Sequence, residues 1–224
     1  TTFSENKNQN KSYIAFFDLD KTVLSINSGS VLVREAYKRG LMSTTDLLNA
    51  IYLSLLYKFH LRETSIIVSG MGKWLKGMTP EDMNVLADNV VKKHLVDAIR
   101  PEIYSEIKFN RENNAEIVIL SSAIFQICKP LGSHIGADNI LCTVMEVTDG
   151  VFTGLPENKF CFEDEKRVQL IHYCEMRNYN LSEAFYYGDS MSDLQALKVV
   201  GHPVCVQPDR RLSRVAYKNG WKII

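Results

Sequence analysis

The sequence lacks an excess of charge of either sign, because 26 Lys and Arg residues balance 26 Asp and Glu residues among its 224 residues. This balance gives no bulk electrostatic signature of a protein that binds nucleic acid or a membrane surface. The sequence also lacks an apolar run of the roughly 18 residues that cross a bilayer, and its most apolar stretch, 47–59, is too short. Its polar first residues have no apolar core like that of a signal peptide. We therefore expect a cytoplasmic protein that has neither nucleic acid nor a membrane as partner.

Cysteine and histidine are present without the patterns that would give them a structural or metal-binding role. The five cysteines are odd in number and form no C-x-x-C pair, which argues against a disulfide framework and a zinc knuckle. The five histidines are scattered without the spacing of metal ligands. Buried free thiols in a reducing compartment are the simplest interpretation. The chain has 46% hydrophobic and 23% charged residues, the balance of a folded protein with a full core.

The apolar pattern predicts an α/β core that is split by a helical insert. The run "YIAFF" at residues 13–17 is short and continuously apolar, as in a parallel strand that is buried on both faces. Residues 28–98 read as helical, and beyond them short apolar runs alternate with helical patterns. Such alternation indicates a parallel sheet with right-handed crossovers. We therefore predict an α/β core formed by residues 12–27 and 99–224, with 28–98 inserted after the first strand.

Local signals mark the ends of individual elements. Thr79 and Pro80 fit the N-cap and the first position of a helix, and Gly40 fits the residue that follows a helix end. Asp149-Gly150 lies between two alternating segments, which is the pattern of a two-residue β-hairpin turn. A hairpin is therefore expected in addition to the strands of the parallel sheet.

Two aspartates follow the first predicted strand, at positions 18 and 20 in "AFFDLDKTVL". Alternate residues of extended backbone face the same way, so the carboxylates of Asp18 and Asp20 are expected to lie close together. Asp189 follows another predicted strand, and ligands bind beyond the carboxyl ends of such strands. Carboxylates this close need a compensating cation, and oxygen ligands favour Mg²⁺ where a substrate carries phosphate. An acidic turn or a helix cap is the alternative for the first two.

Three further segments carry polar residues that fit a phosphate site, and each has a simpler alternative. In "GDSMSD", Asp193 stands in capping-box spacing from a serine, so it could cap a helix, support a metal site, or do both. Ser121 and Ser122 end a predicted strand before a helix, where a hydroxyl and free N–H groups bind phosphate. The alternative is that Ser122 merely caps that helix. Lys166 lies in a charged run, where a lysine ordinarily faces solvent.

Together these segments resemble the haloacid dehalogenase superfamily of hydrolases. "DLDKTVL" matches its D-x-D-x-[TV]-[LV] signature, and the strand that ends at Ser121 matches its second motif. Lys166 matches the third motif, and "GDSMSD" matches the fourth, G-D-x-x-x-D. All four occur in the order of the family across nearly the whole chain. The resemblance implies a Rossmann-like parallel sheet, and the insert resembles the helical type-1 cap of phosphoserine-phosphatase-like members.

The resemblance also implies a role for each matched residue. Asp18 would be the nucleophile that forms an aspartyl-phosphate, and Asp20 the general acid and then the general base. Mg²⁺ would be bound by Asp18, the backbone carbonyl of Asp20 and Asp189, with Asp193 as a ligand or a support. The residues that would bind the phosphoryl group are Thr22, Ser121, Ser122 and Lys166.

The chain departs from the phosphoserine-phosphatase pattern where the substrate would be recognised. Asn27 lies nine residues after Asp18, where those enzymes carry a Glu that recognises an amino group. Ser192 precedes the last aspartate of the fourth motif, where they carry Asn, and their S-G-G segment is Ser-Ser-Ala here. The insert residues considered for contact with the leaving group are Arg34, Arg62, Lys73 and Trp74, although solvated charges and a core tryptophan are the simpler interpretation.

The favoured interpretation is a Mg²⁺-dependent phosphomonoesterase that acts on a small phosphorylated metabolite. A phosphotransferase or mutase would use the same residues with an acceptor other than water. A receiver-like phosphorylation sensor also combines acids, Thr or Ser, and Lys around Mg²⁺. It needs neither a leaving-group acid at the second aspartate nor a helical insert, so both features argue against the sensor.

Overall fold

The computed structural model describes residues 11–58, 70 and 72–224. The strands of this part of the chain are β1 (Tyr13–Phe17), β2 (Ala115–Ile124), β3 (Asn139–Thr143), β4 (Met145–Thr148), β5 (Val151–Pro156), β6 (Phe185–Gly188), β7 (His202–Cys205) and β8 (Lys222–Ile223). Six of them form one parallel sheet in the order β3-β2-β1-β6-β7-β8, and β4 pairs with β5 in an antiparallel hairpin. The predicted α/β fold with a parallel sheet is therefore confirmed.

A helical region follows the first strand. Beyond it, α-helices alternate with the strands of the sheet. The α-helices of the described residues are α1 (Ser28–Lys38), α2 (Thr44–Lys58), α3 (Pro80–Val90), α4 (Pro101–Glu112), α5 (Phe125–Ile135), α6 (Asp164–Arg177), α7 (Leu194–Leu197) and α8 (Arg210–Asn219). The Thr79 hydroxyl accepts the N–H of Asp82 at the start of α3, and Gly40 has a φ of 70° after α1, as predicted. None of these helices is both long and apolar enough to cross a membrane.

The core lies on both faces of the sheet because successive side chains of a strand point to opposite sides. In β1, Ile14 and Phe16 belong to one buried cluster, whereas Ala15 and Phe17 belong to the other. All four side chains are fully buried, which explains why the strand reads as an uninterrupted apolar run. The sheet is thus held between two helical layers, and its carboxyl edge is left for polar residues.

Backbone hydrogen bonds join the two ends of the helical region where the chain leaves the core and returns to it. The N–H of Ser25 donates to the Ala98 carbonyl at 2.8 Å, and the N–H of Arg100 donates to the Val23 carbonyl at 2.9 Å. The segments that enter and leave residues 28–98 therefore lie side by side. This arrangement agrees with an insert, and its division from the core at 27/28 and 98/99 stays a prediction.

The hairpin has the predicted turn, and it packs against a segment that no sequence pattern indicates. Asp149 and Gly150 have φ of 52° and 79° between the paired residues Thr148 and Val151, as in a two-residue turn. The hairpin lies against residues 72–78, since backbone hydrogen bonds join Phe152 to both Gly77 and Met78 at 2.9 Å. It thereby connects the core segment of the chain to the helical region.

The second strand extends farther than the sequence predicts. β2 continues past Ser121 to Ile124, with a register shift against β3 between those two residues. The next helix begins at Phe125, and its N-cap, Ile124, offers no side-chain hydrogen bond. The alternative in which Ser122 caps this helix is therefore wrong, because the serine lies inside the irregular end of the strand.

Candidate active site

Three neighbouring strands bring their polar ends to the carboxyl edge of the sheet. Phe17, the last residue of β1, is in register with Ile119 of β2 and Tyr187 of β6. Asp18 therefore follows β1 between the ends of its two neighbours, and its N–H donates to the Tyr187 carbonyl at 2.9 Å. Because the register is fixed by the backbone ladder, residues far apart in sequence meet at this edge.

A wide helical turn (Leu19–Val23) shapes the backbone after the nucleophile candidate. The N–H of Val23 donates to the Asp18 carbonyl at 3.3 Å. Lys21 has a φ of 62°, an uncommon value for a residue with a side chain, and is exposed. Thr22 is fully buried, and its hydroxyl has no hydrogen-bond partner among the described residues. A buried hydroxyl without a partner is costly, so Thr22 is suited to a bound ligand.

The buried ammonium group of Lys166 connects two carboxylates of the site. This residue lies in the first turn of α6, and its ammonium is 2.7 Å from Oδ1 of Asp18 and 2.7 Å from Oδ1 of Asp193. Only 2% of its side chain is exposed, so the simpler interpretation of a solvent-facing lysine is wrong. Burial opposes its positive charge, but the two carboxylates outweigh this effect and hold the pKa of Lys166 well above its usual value.

Asp193 is surrounded by hydrogen-bond donors. Its Oδ1 accepts from Lys166 and from the Tyr186 hydroxyl, each at 2.7 Å, and its Oδ2 accepts from the Ser190 N–H at 3.2 Å and the Ser190 hydroxyl at 3.3 Å. The predicted capping box between Ser190 and Asp193 is thus present. Because both oxygens are already engaged, Asp193 is better suited to support Lys166 and the turn that carries Asp189 than to bind a metal directly.

When they are ionised, the carboxylates of Asp18, Asp189 and Asp193 carry more negative charge than Lys166 balances. One oxygen from each of Asp18, Asp189 and Asp193 lies within 4.8 Å of the others. Burial raises the pKa of Asp18 to about 7, although Lys166 opposes the shift. Burial, followed by the charges of Asp193 and Asp18, raises the pKa of Asp189 to about 8. A buried oxygen-only cluster with unbalanced negative charge fits a hard divalent cation such as Mg²⁺.

Asp20 lies beside this cluster and is held by the start of α1. Its Oδ1 accepts the N–H of Ser28 at 2.7 Å, and its Oδ2 accepts the Asn27 side-chain amide at 3.1 Å. Burial raises the pKa of this carboxyl, and the hydrogen bonds from Ser28 oppose the shift. The two aspartates of the first motif therefore have different partners, Lys166 for Asp18 and helix α1 for Asp20.

The two serines of the second motif have different environments. Ser121 is fully buried, and its hydroxyl accepts the N–H of Ala123 at 3.3 Å. Ser122 is partly buried, and its carbonyl accepts the Thr143 hydroxyl at 3.0 Å, which fixes the strand end to β3. The structure thus fixes the Ser122 backbone through β3, and its side chain has no hydrogen bond among the described residues.

The residues predicted to recognise the leaving group have different surroundings in the described part of the chain. Arg34 and Lys73 are exposed, and Trp74 packs partly buried against the hydrophobic core. Ser192 bonds the Ser190 hydroxyl at 2.8 Å. Arg62 lies outside the described residues. Asn27 contacts the Asp20 carboxylate directly.

Tyr186 is a site residue that the sequence analysis missed. In "FYYG" it reads as an ordinary apolar strand residue, yet its hydroxyl bonds Asp193. Gly188, on the same face of β6, is where a Cβ atom would come within 2.7 Å of Asp193 Cβ and 2.9 Å of the Tyr186 ring. The glycine is therefore required by close packing against Asp193. The period of two between Tyr186 and Gly188 is the signal that could have revealed this contact.

The comparison with protein families agrees with this arrangement. Residues 15–198 match the model of the haloacid dehalogenase-like hydrolases. The chain belongs to this family. The matched region includes all four motifs and the whole carboxylate cluster, so the predicted family and the prediction of a hydrolytic enzyme are confirmed.

Relatives known from sequence extend the same comparison. The "Inhibition of morphological differentiation protein" of Streptomyces azureus is 30% identical over 215 residues, which cover 94% of this chain and 77% of that protein. A "Probable phosphatase" of Mycobacterium tuberculosis is 26% identical over 214 residues, covering 94% of this chain and 74% of that protein. The prediction of a phosphatase within the family agrees with the name of the second relative.

Solved structures share the fold. A protein of unknown function from Bordetella pertussis has a TM-score of 0.86 at 18% identity, and the match covers 94% of this chain and 97% of that one. A phosphoserine phosphatase described as a phospho-aspartyl intermediate analogue has a TM-score of 0.70 at 17% identity, covering 95% and 92%. The predicted likeness to the phosphoserine-phosphatase fold is therefore confirmed.

Proposed function

We propose that the protein is a Mg²⁺-dependent phosphomonoesterase that acts through an aspartyl-phosphate on Asp18. The observation that carries this proposal is the buried cluster in which Lys166 bridges Asp18 and Asp193 beside Asp189. Such a site is built almost entirely from charges, which is what phosphoryl transfer requires, since positioning and electrostatic stabilisation supply most of its catalysis. The phosphatase names of a relative and of a structural neighbour support the same activity.

A divalent cation would balance the negative charge that Lys166 leaves on the carboxylates. Asp18 and Asp189 would hold it together with the backbone carbonyl of Asp20, and Asp193 would support the site without binding the ion. Bound Mg²⁺ would neutralise charge on the phosphoryl oxygens and on the carboxylates. Asp193 is assigned a supporting role because both of its carboxylate oxygens already accept hydrogen bonds from the protein.

Asp18 is the proposed nucleophile. Lys166 engages its Oδ1, which leaves Oδ2 for the phosphorus atom. In the first step a bond forms between the Asp18 carboxylate and phosphorus while the bond from phosphorus to the leaving oxygen breaks. In the second step a water oxygen attacks phosphorus, the bond to Asp18 breaks, and inorganic phosphate is released. Lys166 is protonated when the first step begins, because its two carboxylate partners hold its pKa well above the usual value despite its burial.

Asp20 is the proposed general acid and base. In the first step it gives a proton to the departing oxygen, and in the second step it takes a proton from the attacking water. Its surroundings agree with this exchange, since the residue is partly exposed whereas Asp18 is buried. The hydroxyl of Thr22 and the buried Ser121 are proposed to donate to the phosphoryl oxygens.

The proposed substrate is a small phosphomonoester. The structural neighbour that is a phosphoserine phosphatase supports a phosphoserine-like compound, whereas Asn27 and Ser192 depart from the pattern of those enzymes. Phosphorylated amino acids, alcohols and sugars are therefore the classes to screen. Free phosphate as the sole phosphorylated product would distinguish hydrolysis from transfer to another acceptor.

Turnover of p-nitrophenyl phosphate tests the proposal. We expect hydrolysis that depends on Mg²⁺, is removed by chelation and restored by added Mg²⁺, and releases phosphate in equal amount to nitrophenol. The Asp18→Asn variant should lose activity by roughly a thousandfold or more, while Asp88→Asn, at an exposed carboxylate of α3, should not. Near-normal activity of Asp18→Asn would contradict the covalent mechanism, and a stable phosphoprotein without turnover would favour a sensor.

A further inference from the structure

Asn27 joins the first helix after the nucleophile to the proposed general acid. Its Nδ2 donates to Oδ2 of Asp20 at 3.1 Å, and its Oδ1 accepts the Ser30 N–H at 2.9 Å and the Ser30 hydroxyl at 3.0 Å. The orientation of the amide is determined by these partners. Reversing it would place an oxygen against a carboxylate and an NH₂ group against two donors. Asn27 is thus at once the N-cap of α1 and a fixed donor to Asp20.

Asp20 is held through both of its oxygens by this helix start. The second contact is the Ser28 N–H, which donates to Oδ1 at 2.7 Å. Both donors come from the start of α1, where exposed N–H groups and the helix dipole favour a carboxylate. Two contacts on different oxygens fix the rotation of the carboxyl plane, which a single contact would leave free.

We propose that Asn27 is a positioning residue for Asp20 and that it does not recognise the leaving group. Both ends of its amide are occupied by groups of the protein, so neither end is available to an amino group of a substrate. The inference rests on the proposed function, because it assigns Asn27 an effect on the proton that Asp20 delivers. Asn27 is also uncharged, so position 27 would not select substrates that carry an amino group, as a glutamate there would.

The consequence is a loss of activity that depends on the leaving group. An alkoxide is strongly basic and needs a proton from Asp20 as it departs, whereas p-nitrophenolate is weakly basic and departs without one. General acid catalysis accelerates a reaction roughly 10²- to 10⁴-fold, and an acid in the wrong orientation provides only part of this acceleration. Since kcat/KM reports steps up to formation of the phosphoenzyme, it isolates the step in which Asp20 acts as an acid.

Two substitutions at Asn27 separate its capping role from its contact with Asp20. Serine and aspartate are both good N-cap residues, so Asn27→Ser and Asn27→Asp retain a cap for α1. Serine is too short to reach Asp20, and aspartate replaces the donor by a second negative charge. The matched control is Ser30→Ala, which removes one contact to Oδ1 of Asn27 and leaves the backbone donor and the Asp20 contact in place.

The measurement is kcat/KM for a simple alkyl phosphate and for p-nitrophenyl phosphate, with the melting temperature of each variant. We expect Asn27→Ser to lower the alkyl-to-aryl ratio roughly tenfold or more, Asn27→Asp to lower it further, and Ser30→Ala to leave it unchanged. An equal loss on both substrates together with a lower melting temperature would reduce Asn27 to a helix cap. An unchanged ratio with a raised KM for the preferred substrate would make Asn27 a residue that recognises substrate; both results overturn the inference.

The failure of the proposed function is distinguishable from these results. It would appear in the unaltered protein as the absence of Mg²⁺-dependent hydrolysis of either phosphate, and the inference would fall with it. If the unaltered protein hydrolyses both phosphates, the ratio in the two Asn27 variants decides the inference alone.

Discussion

Lys166 and Asp18 form a buried ion pair of 2.7 Å although 148 positions separate them in the chain. The pair joins the first turn of α6 to the end of β1, and the same ammonium also reaches Asp193 after β6. A buried pair of this kind is weak evidence for stability, because the cost of removing both charges from water opposes their attraction. The pair instead fixes the positions of the charges in the site, and removing it should change both stability and activity.

Replacing Lys166 by methionine should destabilise the fold and abolish activity. The substitution leaves Asp18 and Asp193 without their common cation, and breaking a buried pair costs about 3–5 kcal/mol of unfolding free energy. Urea unfolding at constant pH measures this change. Lys159→Met is the matched control, since the Lys159 side chain is 80% exposed and 3.8 Å from Glu165; we expect a change within about 1 kcal/mol. Equal effects of the two substitutions would contradict the buried arrangement.

The stability of the metal-free protein should fall as pH rises from about 5 to about 8. Burial raises the pKa of Asp18 to about 7 and of Asp189 to about 8, both above the ordinary value of 3.8 that applies after unfolding. Between these values the folded protein binds more protons than the unfolded chain, so each rise in pH favours unfolding. A melting temperature that increases across this range without metal would contradict the raised pKa values.

Mg²⁺ should counteract this pH effect. A bound cation requires deprotonated ligands and therefore competes with protons for Asp18 and Asp189. We expect the increase in melting temperature on adding Mg²⁺ to be larger at about pH 8 than at about pH 5. Asp189→Asn should remove most of this increase. An increase that is the same at both pH values, or the same in Asp189→Asn, would mean that Mg²⁺ stabilises the protein elsewhere.

Tyr186 and Tyr187 are adjacent in β6, and comparing their variants separates a contact that supports the site from one that supports only the fold. Tyr186 donates to Asp193 at 2.7 Å, whereas Tyr187 lies on the other face and donates to Glu106 at 2.7 Å. Tyr186→Phe removes one hydrogen bond, whereas Tyr187→Phe removes two, because the Asn110 side-chain amide also donates to the Tyr187 hydroxyl at 3.0 Å. Each lost hydrogen bond should cost about 1 kcal/mol of stability. Only Tyr186→Phe should lower kcat, because Asp193 then holds Lys166 less firmly. Equal kcat values for the two variants would contradict the role of Asp193 as a support.

The residues that bear the chemistry could be predicted because their spacing is set by strand geometry. Asp18, Ser121 and Asp189 each follow an apolar run, and parallel strands bring such positions to one edge. Lys166 needed the resemblance to a family, since nothing in a charged run indicates that one lysine is buried. The alternation of strands and helices similarly predicted the sheet, and Asp149-Gly150 predicted the hairpin.

The remaining contacts depend on packing that no short pattern encodes. Tyr186 resembles a core residue in the sequence because the partner of its hydroxyl, Asp193, is brought to it only by the fold. The hydrogen bond from Asn27 to Asp20 requires a wide turn between them, which depends on the left-handed backbone of Lys21. The extension of β2 beyond Ser121 results from an irregular pairing with β3. Each of these features is a relationship between elements, and it appears only in three dimensions.

The most direct test of the proposed mechanism is to trap the phosphoenzyme and locate the phosphoryl group. The protein is mixed with Mg²⁺ and a phosphomonoester, quenched in acid within the first turnover, digested and analysed by mass spectrometry. We predict one phosphoryl group on the carboxylate of Asp18, removed by hydroxylamine as an acyl phosphate is, and absent from Asp18→Asn. With p-nitrophenyl phosphate, whose leaving group departs without a proton, Asp20→Asn should still accumulate some of the phosphoenzyme, since loss of the general base slows the release of phosphate. Turnover without any phosphoryl group on Asp18, or with one on a different residue, would contradict the mechanism.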